Sequence, residues 1–142
     1  MPRFELLEHT SDVYVRASGE DLLDALVGLG MGLTSVLVRN PESVAGNEKK
    51  DVSVEANGPE ELVFLWLAEL IYLFDASSFL FKGFEGRVRC ERGKLLLQGA
   101  ATGDVYDPSR HKPGTHVKAV TYHDMRVETC KGTTTVTVLL DI

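Results

Sequence analysis

The sequence predicts a single α+β domain, with two main helices packed on one face of a largely antiparallel or mixed β-sheet. Three observations lead there. Leu22, Leu26, Leu29, Leu33 and Val36 recur at helical spacing, and residues 62–74 form an apolar run behind a strong helix start. Period-two alternation marks strands on either side of these segments. From Phe79 onward the chain is strand-like and punctuated by Gly-containing turns.

Each element has a local reason. Residues 4–7 are a short apolar run and read as a strand. Val13, Val15 and Ala17 alternate with Tyr14, Arg16 and Ser18, giving a second. Ser18 reads as the N-cap of the first helix, with Asp21 as its capping-box partner. Gly28, Gly30 and Gly32 each cost about 1 kcal/mol against Ala in a helix. Close approach of another element is a reason to tolerate Gly28 and Gly32. Residues 40–47 read as loop, and Val52, Val54 and Ala56 mark a strand by their alternation. Asn57-Gly58-Pro59-Glu60-Glu61 starts the second helix with a capping residue, Pro in the first turn and acids at the positive dipole end. That helix runs to about residue 75 and is apolar nearly all round, so it is expected to be the buried central one. Glu69, the lone acid of the run 62–74, is either a paired buried acid or part of a narrow wet stripe. Trp66, Tyr72 and Phe74 read as core packing rather than a cofactor pocket. Strands follow at 79–84, 86–91, 95–102, 117–129 and 133–142. Arg92-Gly93-Lys94 and Lys131-Gly132 are the turns.

At 142 residues the chain fits one domain, 1–142. A domain of this size buries about 68–70% of the surface its unfolded chain exposes, enough for its own core. Hydrophobic residues are 44% and charged residues 25%, an ordinary globular balance. The net charge of −6 argues against direct high-affinity nucleic-acid binding, which needs clustered Lys and Arg. It suits a basic protein surface instead. Cys90 and Cys130 fit neither a zinc cluster nor a C-x-x-C redox pair and read as reduced thiols in strands. No signal-peptide stretch opens the chain, and the run 62–74 falls short of the ~20 residues a spanning helix needs. The expectation is a soluble, cytoplasmic protein without a membrane partner.

Residues 104–123 are neither plain core nor plain linker. Pro108, Pro113 and Gly114 make the first half an ordered turn or loop. From Val117 the spacing becomes strand-like: Lys118, Val120 and Tyr122 share one face, and Val117, Ala119, Thr121 and His123 the other. A polar loop feeding a strand is where scaffolds place working side chains. Arg110, His111 and Lys112 suit a phosphate contact or a solvated loop equally. Lys118 suits a surface position, or a cation reaching an acidic group or a nucleotide phosphate. His9, His111, His116 and His123 lack H-x-x-x-H and H-E-x-x-H spacing, so no zinc hydrolase site is supported. His9 lies three residues before Asp12 and is placed to orient it. Asp12, Asp141 and the Ile142 α-carboxylate can give three hard oxygen donors, suited to Ca²⁺, Mg²⁺ or Mn²⁺. Spacing alone favours a blander reading, a turn Asp capping backbone and a solvated terminal Asp. No G-x-S-x-G, P-loop or dinucleotide fingerprint is present, and no catalytic residue is assigned.

Four blocks in order resemble the archease family: E-H-T-S-D (8–12), L-W-L-A-E-L-I-Y-L-F-D (65–75), H-K-P-G-T-H-V-K-A-V-T-Y-H (111–123) and L-L-D-I (139–142). The resemblance runs from Phe4 to the last residue. It implies an archease-like fold and the role of a non-catalytic accessory to the RtcB-type RNA ligase, which joins tRNA halves after intron removal. Archeases speed guanylylation of that ligase and permit multiple turnover. The resemblance also implies a divalent metal ion at Asp12, Asp141 and Ile142, and a functional Lys118. His9, His111 and His123 are candidates for ligase activation or for support of the metal ligands. Two other classes stand beside this one. A small metal-dependent phosphoesterase or nucleotide enzyme would use the same carboxylates. A general chaperone or modulator of RNA-modifying proteins would need no metal.

Overall fold

Val13, Val15 and Ala17 meet Leu140, Val138 and Val136 directly across an antiparallel ladder, and all six are buried. This match of apolar alternations organises the computed structural model, which describes residues 2–8 and 11–142. The elements are β1 (Arg3–Glu8), β2 (Asp12–Gly19), α1 (Leu22–Leu37), a 3-10 turn (Pro41–Ser43), β3 (Glu48–Ala56), α2 (Pro59–Ser77), β4 (Phe79–Glu91), β5 (Lys94–Val105), β6 (Ala119–Cys130) and β7 (Thr133–Asp141). The α+β order holds. The strands divide into two sheets, β1-β2-β7-β6 and β3-β5-β4, in which every neighbouring pair is antiparallel. Both helices pack against strands of both sheets and against each other. Among the described residues, no helix is long and apolar enough to cross a membrane.

Close approach explains the glycines of α1. A Cβ on Gly32 would stand 2.6 Å from Val15 Cγ1, and one on Gly28 would stand 2.8 Å from the Arg3 carbonyl oxygen. On the other side, a Cβ on Gly30 would stand 2.5 Å from the Phe81 ring. The helix is therefore held tight between β1–β2 and β4. From α2, Trp66 is fully buried, and its Nε1–H donates to the Leu26 carbonyl at 2.7 Å. Its ring stands edge-on to Phe81 and Phe84, with centroids 5.4 and 5.2 Å away. One indole thus joins α1, α2 and β4. Glu69 is half-buried beside Ser53 and Glu55 in an open groove, the wet-stripe position.

Local chemistry departs from expectation at three places. Ser18 stays in β2, paired with Thr135. Asp21 is the N-cap instead: its carboxylate accepts the Asp24 N–H at 2.8 Å, while Asp24 accepts the Glu20 N–H at 3.1 Å. At α2 the cap is Gly58, and Glu61 reaches back to accept the Asn57 N–H at 2.9 Å. The strands expected at 79–84 and 86–91 are one strand, β4, with a register irregularity between Phe81 and Gly83. Gly86 does not break it, because it pairs with Gly99 and the Phe84 ring covers both. Both hairpin turns carry two residues at positive φ, Arg92-Gly93 (54°, 76°) and Lys131-Gly132 (51°, 78°), the type I′ geometry that matches strand twist. Cys90 and Cys130, beside these turns, are free and exposed.

Trp66→Ala should cost about 3–5 kcal/mol of stability in urea denaturation, as a truncation at the centre of the core. Trp66→Phe keeps a ring, loses the bond to Leu26 and should cost less. An Ala variant as stable as wild type would remove Trp66 from the centre of the fold.

Candidate functional site

Asp12 opens β2 and Asp141 closes β7, and the ladder sets them directly opposite each other. Residues facing each other across an antiparallel pair share one face, with Cβ atoms about 4.5–5.5 Å apart. Val13 and Leu140, the next pair along, are buried, so Asp12 and Asp141 stand on the outer face. Asp12 is half-buried and Asp141 exposed. Two backbone bonds complete the junction. The Lys118 N–H donates to the Asp141 carbonyl at 2.8 Å, and the Ile142 N–H donates to the Ser11 carbonyl at 3.3 Å. Three distant stretches, around 12, 118 and 142, therefore meet at one end of one sheet.

Asp12 and Asp141 could hold a hard divalent cation through oxygen alone. Among the described residues no three His, Cys, Asp or Glu side chains converge as a metal cluster. A cation at the Asp12–Asp141 pair would draw its further donors from the Ile142 carboxylate or from water. His9 lies outside the described residues.

The outer face also carries residues the sequence did not single out. Tyr14 donates its phenol to Asp124 Oδ2 at 2.7 Å. Its pKa is raised, first by that hydrogen bond, then by burial and by the charges of Asp124 and Asp12. Asp12 and Asp124 thus act on one phenol. Asp124 lies at φ 56° where the β6–β7 register shifts between Thr121 and Arg126. No alternation pattern reveals such a bulge. His123 is exposed, and its Nε2 lies 3.3 Å from Asp124 Oδ2. His116 is likewise exposed, 3.3 Å from Asp75 Oδ1.

Residues 106–118 form a strap across the end of α1. Arg39 N–H donates to the Lys112 carbonyl, Gly114 N–H to Leu37 and Thr115 N–H to Val36, all at 2.8–2.9 Å. Asp104, only 2% exposed, anchors this strap. It accepts from Arg110 Nη1 and Nη2 at 3.0 and 3.3 Å, from the Ala45 N–H at 3.0 Å and from the Val105 N–H at 2.9 Å. His111 Nε2 lies 3.2 Å from the same carboxylate, while His111 Nδ1 accepts the Asp107 N–H at 2.9 Å. That second bond puts the ring proton on Nε2. These contacts correct one expectation and narrow another. His111 is fully buried and holds the loop, so it is not a surface contact for phosphate or a partner. Arg110 is engaged by Asp104 and Asp107. Lys112 and Lys118 are exposed.

Residues 4–142 match the model of the archease protein family (MTH1598/TM1083). The chain is similar to the protein archease of Pyrococcus furiosus, 36% identical over 90% of this chain and 89% of that one. Its similarity to the protein archease of Sulfurisphaera tokodaii is 32% and covers all of both chains. Among solved structures, Methanobacterium thermoautotrophicum protein 1598 superposes with a TM-score of 0.84 at 27% identity, covering 98% of each chain. A Thermotoga maritima protein described as an archease and possible chaperone shares the fold, with a TM-score of 0.60 at 20% identity and coverage of 96% and 94%.

The Asp104 anchor has a pH signature. The Arg110 hydrogen bonds, helped by the Ala45 and Val105 N–H groups, outweigh burial and lower its pKa from 3.8 to about 2. A carboxylate with a depressed folded-state pKa stabilises the fold above its unfolded value and loses that contribution as pH falls through the folded one. Denaturant midpoints should therefore fall between about pH 4 and pH 2. Asp104→Asn should lower the midpoint at pH 7 and flatten that acid-dependent fall. An unchanged acid profile in the variant would show that the strap is anchored otherwise.

Proposed function

Because this chain belongs to the archease family, we propose that it is a non-catalytic activator of an RtcB-type tRNA-splicing RNA ligase, promoting guanylylation and multiple turnover of that enzyme. The observation that carries this reading is the meeting of Asp12, Asp141, Ile142 and the Lys118 backbone at one sheet end. A divalent cation there, Ca²⁺, Mg²⁺ or Mn²⁺, would offset charge developing on a triphosphate during guanylyl transfer. The chain's own part is positional. The β2–β7 ladder holds the two carboxylates on one face, and Lys118 is fixed by its backbone to the same end. The net charge of −6 suits docking on a basic ligase surface and does not suit a phosphate backbone. RNA is therefore left to the ligase.

Guanylylation of the matching ligase, assayed with and without this protein, tests the proposal. Asp12→Ala, Asp141→Ala and Lys118→Ala should each reduce the stimulation severalfold while melting temperatures stay close to wild type, as is usual away from the core. A C-terminal extension, which turns the Ile142 carboxylate into an amide, should weaken metal binding and stimulation more than an N-terminal one. Stimulation that survives in all three point variants would refute the residue assignment. An undiminished effect on the ligase in an Asp12/Asp141 double variant would favour a general chaperone.

A further inference from the structure

At the same sheet end as the acid pair, but on the α1 side of the β2–β7 ladder, lies a cleft of about 330 Å³, bounded by Ser35 and Arg39 at the end of α1, by Gly114 and Thr115 of the strap, and by Ile142. Val13 and Val36 give it an apolar wall. Ile142 connects the two features, since it follows Asp141 and bonds through its N–H to Ser11. The cleft is near the lower end of ligand-pocket sizes, about 300–1,000 Å³, which gives room for a phosphate chain rather than for a whole nucleotide.

Its distinguishing residue is Arg39. The side chain is exposed and makes no hydrogen bond or ion pair among the described residues. Its backbone is fixed by the bond to Lys112 and by the Val38–Pro113 bridge beside it. Gly114 keeps the strap close, because a Cβ there would stand 2.4 Å from the Val36 carbonyl oxygen. Arg110, the neighbouring arginine, is bound to Asp104 and Asp107 and is not available in this way. Electrostatics supplies the need. Two carboxylates attract a divalent cation but repel the phosphates that the cation brings with it. A guanidinium fork on the far side of the chain end can donate to those oxygens, with the Ser35 and Thr115 hydroxyls as further donors.

We propose that the Arg39 cleft is an anion subsite for the phosphate chain of a divalent-metal-bound nucleotide. The metal half of this assignment rests on the cation reading of Asp12 and Asp141 given above; the anion half does not. Titration calorimetry on the whole protein separates the two, with pyrophosphate, GTP and guanosine as probes, each with and without Mg²⁺, and with Mg²⁺ alone. Arg39→Gln should weaken Mg²⁺·pyrophosphate and Mg²⁺·GTP binding about tenfold or more. Arg39→Lys should recover part of the loss, Mg²⁺ alone should bind all three proteins equally, and guanosine should not bind. Equal pyrophosphate affinity in wild type and Arg39→Gln, or no pyrophosphate binding to wild type, would overturn the subsite. Mg²⁺ affinity unchanged by Asp12→Asn would instead overturn the cation reading. Arg39-dependent binding of metal-free pyrophosphate would still support the cleft.

Discussion

The pairing of Asp12 with Asp141 is set by apolar side chains rather than by the acids themselves. Val13, Val15 and Ala17 face α1 together with Leu140, Val138 and Val136. A strand's side chains alternate with period two, so a slip of one residue would carry an entire buried set to solvent. It would also turn Asp141 toward the core. The hydrophobic register therefore holds two carboxylates opposite each other on one face. The strong, general force of burial fixes the geometry of the weak, specific one.

The same economy appears at the strap. Loop backbone is seldom rigid, yet residues 106–118 are tied to the end of α1 by three main-chain bonds and pinned below by Asp104. A buried carboxylate with five donors around it is satisfied, and a satisfied buried polar network confers order. Its rigidity is passed on in two directions. Lys118 is delivered to the Asp141 carbonyl, and the wall of the Arg39 cleft is set by Gly114 and Thr115. The geometry of the sheet end thus draws on a network that contributes no side chain to it.

What the sequence made legible follows from what is local. The alternation at 13, 15 and 17, the apolar helix around Trp66 and the glycine-bearing turns all state their structure within a few residues. The tight packing of α1 was legible too, because Gly28 and Gly32 have no other purpose in a helix. Asp12 and Asp141 were candidates on their chemistry, but only the resemblance favoured them over capping and solvated roles, since nothing in spacing joins positions so far apart. The burial of Asp104 and His111 could not be read, because their partners come from residues 45, 105, 107 and 110 in one folded arrangement. Nor does alternation say which strands share a sheet. Sheet membership is decided by long-range pairing, which is why the strands divide in two. Asp124 was hidden for another reason: a bulge breaks the period on which strand reading depends.

The connectivity of the two sheets has a consequence for the order in which the molecule comes together. The β3-β5-β4 sheet draws on one continuous middle stretch of chain, and its β4–β5 ribbon closes through a two-residue turn. The other sheet places β7, the last strand, between β2 and β6. The β1–β2 ribbon must wait for a partner from the opposite end of the chain, across the longest loop the fold has to close. Loop closure of that length is the slow kind of event in β topologies. Docking of β7 onto β2 is then the natural late step of folding. Because that step also brings Asp141 to Asp12, the protein gains its acid pair only when the fold is finished.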